Sequence, residues 1–142
     1  MSGSELFPEG SGYVLINFPA SFRWLDKALS SGGEFVAFCM GFEAGKELLR
    51  GKETDVPVQL ARFLRFMGFG ELSTDFKPPS VTVSVTNPPV KKGSGAAARY
   101  LMGLLAGAFS KHLGVDLAVH EASYNTSRDT LNATLMPKVK GS

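Results

Sequence analysis

Residues Ala96 to Leu113 read as a helix that is apolar nearly all round until Ser110-Lys111-His112. A helix with no polar face must be covered on most sides, so the rest of the chain has to supply that cover. At 142 residues the chain has material for one real core and not two. Hydrophobic residues make up 44% and charged residues 20% of the chain, a balance that excludes disorder for its bulk.

A second helix spans Glu34 to Arg50, with Phe35, Phe38, Cys39, Phe42, Leu48 and Leu49 as its apolar stripe. Lys46 and Arg50 lie towards its C-terminal end, where cations suit the helix dipole, and Gly51 stops it. Both helices carry two glycines one turn apart, Gly41/Gly45 and Gly103/Gly107. Each costs roughly 1 kcal/mol relative to alanine, so something must offset it. Glycines on one face either admit another backbone at close range or leave room beside the helix for a ligand. Phe38, Phe42, Phe63, Phe66 and Tyr100 fit a packed core, and 11 phenylalanines also suit an aromatic-lined cavity. In the second case Met102, Leu104 and Val119 join them as candidate ligand contacts.

The remaining elements follow from local pattern. Met1 to Ser11 is an unpatterned tail, Tyr13 to Phe18 a short β-rich run closed by Pro19, and Ser21 to Ser30 a short amphipathic helix with Phe22, Leu25 and Leu29 at helical spacing. Ser30-Ser31-Gly32-Gly33 is expected to break the chain there. Asp55 offers an N-cap and Pro57 a first-turn residue for a third helix, which carries Leu60, Phe63, Leu64 and Met67 and ends at Gly68. Leu72 to Phe76 and Val81 to Thr86 are strands joined through Lys77-Pro78-Pro79-Ser80. Val81, Val83 and Val85 alternate with Thr82, Ser84 and Thr86, which gives one buried and one wet face and suits antiparallel pairing. Leu117 to Tyr124 and Leu131 to Met136 form a closing hairpin. The expected class is α+β, one domain over 12–137 between tails at 1–11 and 138–142.

Several functions are excluded or disfavoured. A net charge of +2 and the short clusters Lys91-Lys92 and Lys138/Lys140, without interleaved aromatics, argue against nucleic acid. The longest apolar runs, Phe35 to Phe42 and Tyr100 to Phe109, are about half of what a bilayer span needs, and no basic leader opens the chain. The single cysteine, Cys39, forms no intrachain disulfide and fits a reducing compartment, so a cytoplasmic protein is expected. Set among apolar residues, it reads as an inert buried thiol. His112 and His120 have no partner motif and read as structural or surface residues. Gly93-Ser94-Gly95 lacks the spacing of a phosphate-binding loop and reads as a loop and N-cap.

The series Met40-Gly41-Phe42-Glu43-Ala44-Gly45-Lys46-Glu47-Leu48-Leu49, Phe66-Met67-Gly68-Phe69-Gly70 and Tyr100-Leu101-Met102-Gly103-Leu104-Leu105-Ala106-Gly107, followed by the hairpin, resembles the vinyl-reductase-type hydrocarbon-binding domain. It is also similar to the small subunits of the transport protein particle that tethers Golgi vesicles, which share that fold. The resemblance covers roughly Tyr13 to Met136. It implies an antiparallel sheet packed by about four helices, the NO-signalling/Golgi-transport ligand-binding type of fold, usually dimeric and with a largely apolar cavity. Metal-binding members of the family hold zinc at positions that fall here on Ala98, Glu121, Tyr124 and Asn132. Only Glu121 is a ligand type, and one carboxylate does not hold zinc, so no family-type metal site is expected. Glu121 is in phase with Leu117 and Val119 and is expected to face inward. The acylated cysteine of one tethering subunit falls on Met102, which excludes covalent acylation but leaves a flexible side chain able to line a pocket.

The leading expectation is a metal-free, non-enzymatic module without a cofactor, which binds or senses an apolar small molecule or acyl chain as a homodimer. The alternative is a structural subunit that assembles with itself or with related chains. An accessory role in reduction is suggested by the family's name alone, and no acid/base pair supports it.

Overall fold

The computed structural model describes residues 18–29, 31–48, 55–89 and 95–138. In chain order these form helices α1 (Phe18–Leu29), α2 (Ser31–Leu48) and α3 (Val56–Phe66), strands β1 (Glu71–Lys77) and β2 (Ser80–Thr86), helix α4 (Gly95–Leu113), and strands β3 (Leu117–Asn125) and β4 (Thr130–Pro137). The fold is α+β: four helices with one antiparallel sheet of order β1-β2-β4-β3. The strand expected from Tyr13 lies outside the described residues except for Phe18, which opens α1 instead. Pro19 does not close a strand but sits in the first helical turn, where its missing N–H leaves no bond unmade. The expected break after the first helix is present, since α1 ends at Leu29 and α2 opens at Ser31, but the glycines are not part of it. Gly32 and Gly33 belong to the first turn of α2, and a β-carbon on Gly33 would lie 2.7 Å from the Leu25 carbonyl oxygen. That glycine is where α1 and α2 touch.

α4 is the covered helix that its composition requires. Every residue from Leu101 to Ser110 is buried, with α2, α1, α3 and the sheet packed around it. Against α2 the approach is backbone on backbone. A β-carbon on Gly41 would collide with the Tyr100 carbonyl oxygen and lie 2.9 Å from the Leu104 nitrogen; one on Gly45 would collide with the Leu104 carbonyl oxygen. Reciprocally, Gly103 abuts the Phe38 carbonyl oxygen and Gly107 that of Phe42. Partner residues rise in step along both chains, so the helices run parallel. The buried row of α2 is made of small residues, Gly33, Ala37, Gly41 and Gly45, at the four-residue spacing of one helix face. Its large apolar residues Phe35, Val36 and Met40 point outward. Cys39 lies on that outer side, so the expected buried thiol is exposed.

Strand burial follows the valine alternation: Val81, Val83 and Val85 meet Leu135, Ala133 and Leu131 of β4 on the inner face. The Asp55 carboxylate accepts the Val58 N–H at 3.3 Å and caps α3. Ser110, buried within α4, accepts the Leu117 N–H on its Oγ at 2.8 Å and fixes where β3 starts. Without it a buried donor would go unmet, at a cost of about 1–3 kcal/mol. The N-terminus of α4 is capped from a distance, since the Asp26 carboxylate of α1 accepts the Ala96 N–H at 3.0 Å.

Because both glycine pairs face backbone, which cannot move aside, Gly41→Ala and Gly107→Ala are each expected to lose about 1–3 kcal/mol of unfolding free energy. Gly32→Ala, whose β-carbon meets nothing within 4 Å, is expected to be neutral or slightly stabilising. Urea denaturation measures all three, and a Gly107→Ala protein as stable as the natural one would refute the close-packing account.

Candidate functional site

The space beside the glycine pairs is filled by the opposite helix backbone, so no cavity lies between α2 and α4 at Gly41/Gly45 and Gly103/Gly107. The residues singled out around them separate into distinct settings. Phe63, Met102 and Leu104 are packed in the main core. Tyr100 lies against Phe22 of α1, ring centroids 4.8 Å apart, in a smaller cluster with Ala37, Ala96 and Ala97. Phe66 is 48% exposed on α3. Phe42 is buried and stacks on Phe38 at 6.2 Å, and its ring is approached by the ammonium groups of Lys46 at 4.8 Å and Lys138 at 5.6 Å.

Phe38 and Val119 are brought together. With Glu34 and Phe35 of α2, Arg99 of α4 and Ala118 of β3, they line an open cleft of about 380 Å³. The cleft opens beside a half-covered stretch of α4. Ala98, Arg99 and Tyr100 are only half-buried, between the buried Ala96-Ala97 and the closed stretch from Leu101 to Ser110. Of its apolar lining, Phe35 is 72% exposed and Phe38 and Val119 are half-buried. At the lip Arg99 Nε lies 3.8 Å from Glu34 Oε1. Glu34 also rests against Gly95, the first residue of α4, where the positive end of the helix dipole favours a carboxylate. The volume is within the range of small-molecule sites. Sequence pattern placed Phe35 on the buried stripe and passed over Arg99. The one available signal was that Arg99 is the sole charged residue between Gly95 and Ser110.

A larger opening, about 530 Å³, lies over the outer sheet face and is lined by Thr82, His120, Glu121, Ser123, Asn132 and Thr134 among others. It is the wet face that the β2 alternation requires. Glu121 belongs to it, not to the interior. A register shift between Val119 and Glu121 inserts His120 as an extra residue, so the inward phase of Leu117 and Val119 is lost by one position and Glu121 pairs opposite Thr134. Of the four family zinc positions, Glu121 and Asn132 sit on this outer face. Tyr124 pairs with Leu131 and packs on the core, and Ala98 lies on α4. Among the described residues no three His, Cys, Asp or Glu side chains gather as a metal site, and no helix is long and apolar enough to cross a membrane.

The sequence matches no protein-family model and no curated protein. The fold is similar to a crystal structure, at 1.90 Å resolution, of a vinyl-4-reductase family protein from Methanocaldococcus jannaschii. The TM-score is 0.63 over 96% of this chain and 89% of that one, at 18% sequence identity. At that identity the likeness establishes the fold alone.

Titrating groups are shifted away from the cleft. Glu71 accepts hydrogen bonds from Arg65 at 2.7 to 3.1 Å, which holds its carboxyl below the ordinary range. The Tyr124 hydroxyl donates to Asp129 Oδ1, and this bond raises the phenol above its usual value of 10.0. With the folded value raised, the bond's contribution is complete below the unfolded pKa and is lost as pH climbs through the folded one. Alkaline difference absorbance between the natural chain and Tyr124→Phe should therefore show a late-titrating tyrosine, and Asp129→Asn should return it towards 10. An unchanged midpoint in Asp129→Asn would contradict the assignment.

Proposed function

We propose that the chain is a non-enzymatic module that binds, and through binding senses, an apolar small molecule in the cleft between α2, the start of α4 and β3. The observation that carries this reading is the coincidence, at one opening, of two aromatic rings (Phe35, Phe38) with Val119 and Ala118. Apolar surface left open to water in a concave setting is what a ligand would cover. The two charged groups at the lip hold each other instead of forming an acid/base pair aimed inward, which favours binding over reaction. The fold shared with a vinyl-4-reductase family protein supports the reading at the level of architecture.

A second reading, assembly with another copy or a related subunit as in the vesicle-tethering proteins, is favoured by a different observation. The outer sides of α1 and α2 expose Trp24 at 65%, Leu29 at 46% and Met40 at 50%.

The neutral, environment-sensitive dye prodan is expected to brighten and shift to the blue on binding the cleft. Phe38→Ala should weaken that affinity about ten-fold, for roughly 1–2 kcal/mol of lost apolar contact, and Phe66→Ala should leave it unchanged. No emission change with the natural chain would remove the binding reading. For assembly, light scattering after size exclusion at micromolar concentration should report a dimer that Met40→Glu dissociates. A strict monomer would remove that reading without touching the first.

A further inference from the structure

We infer that the cleft selects an apolar molecule carrying a carboxylate, which the Arg99 guanidinium holds at the lip. This rests on the cleft being a ligand site and adds the charge of the ligand. A guanidinium carries five N–H donors in a planar fork that matches a carboxylate with two parallel bonds. Among the described residues Arg99 is met by Glu34 alone, through Nε at 3.8 Å, which is an ion pair without a hydrogen bond. Its side chain is 42% exposed and lines the cleft, so the terminal nitrogens are available to a second acceptor. Glu34 is placed differently. Its carboxylate lies against Gly95 at the N-terminus of α4 as well as towards Arg99, so the helix end and the guanidinium already balance its charge.

Phe38 stacks on Phe42, and over Phe42 stand the ammonium groups of Lys46 and Lys138. Lys46 is itself paired with Glu43 at 3.8 Å, so the preference for a carboxylate rests on the donors of Arg99 that Glu34 does not fill and on the helix end that shares the charge of Glu34. A volume of about 380 Å³ suits an aryl or medium-chain acid whose body lies on Phe35, Phe38 and Val119.

Isothermal titration of the full chain with 2-naphthylacetate and with the neutral 2-naphthylacetamide tests this, because the two share one apolar body. The acid is expected to bind at least about ten-fold more tightly, the scale of one charge-assisted hydrogen-bond pair. Arg99→Gln should bring acid and amide to within about two-fold of each other, and Arg99→Lys, which keeps the charge without the fork, should fall between. Glu34→Gln should strengthen acid binding by freeing Nε. Thermal unfolding of each variant checks that the fold is kept, and Arg99→Lys carries the comparison if Arg99→Gln does not fold. Equal affinity for acid and amide, or acid binding indifferent to Arg99→Gln, overturns the inference and leaves an apolar cleft in place. Failure of both compounds to bind at millimolar concentration overturns the cleft reading itself.

Discussion

Two helix backbones meeting through four glycines set the position of nearly everything else. Because α2 and α4 approach without side chains between them, the bulky residues of α4 are free to fill the space towards the sheet and α3, where Leu101, Leu105 and Phe109 join the valines of β2. Each glycine would cost a helix in isolation. The return is dispersion contact along two main chains, at a distance that any β-carbon would forbid. α4 is sealed from Leu101 to Ser110, and the cleft lies beside the half-covered stretch at Ala98, Arg99 and Tyr100.

Residue size, more than residue polarity, orients α2, and this limits what its sequence reveals. Nearly every position from Phe35 to Phe42 is apolar, so periodicity alone gives no buried side. The small residues mark it, and Phe35, Cys39 and Met40 are turned out by default. Where the pattern was unambiguous, the structure agrees: the apolar α4, the Asp55 cap with Pro57 behind it, and the valine alternation of β2 were all legible. Glu121 was not, because a bulge at His120 changes the parity of the strand and no property of Ala118-Val119-His120-Glu121 announces one. The filled notch was also hidden. A glycine pair states that something comes close, and only the opposite element says whether that is a ligand or a main chain. Arg99 was visible as an isolated charge, but its use depends on Glu34, which reaches it from α2.

The sheet is finished by different means on its two faces and edges. Its inner face is aliphatic and closed by α4; its outer face carries Thr, Ser, Asn and the exposed Glu121, polar groups that stay in water and are spared the cost of desolvation. The edge strands β1 and β3 expose Asp75 and Lys77 on one side and the His120 bulge on the other, features that discourage pairing with a stray strand. A chain with little identity to its structural neighbour can keep such a fold because the requirements are ones of size, alternation and spacing, met by many sequences.

The parallel course of α2 and α4 also bears on how the molecule forms. Each helix is a local structure, yet the contact that joins them pairs residues roughly sixty positions apart, Gly41 with Leu104 and Gly45 with Ala108, and the chain between must first be gathered into a closed loop. The enclosed stretch holds α3 and the β1–β2 hairpin, so part of the sheet is threaded inside the closure that unites the helices. Topology of this kind raises the entropic barrier to assembly, and a protein whose largest interface is helical is thereby given the long-range search more usual for a sheet.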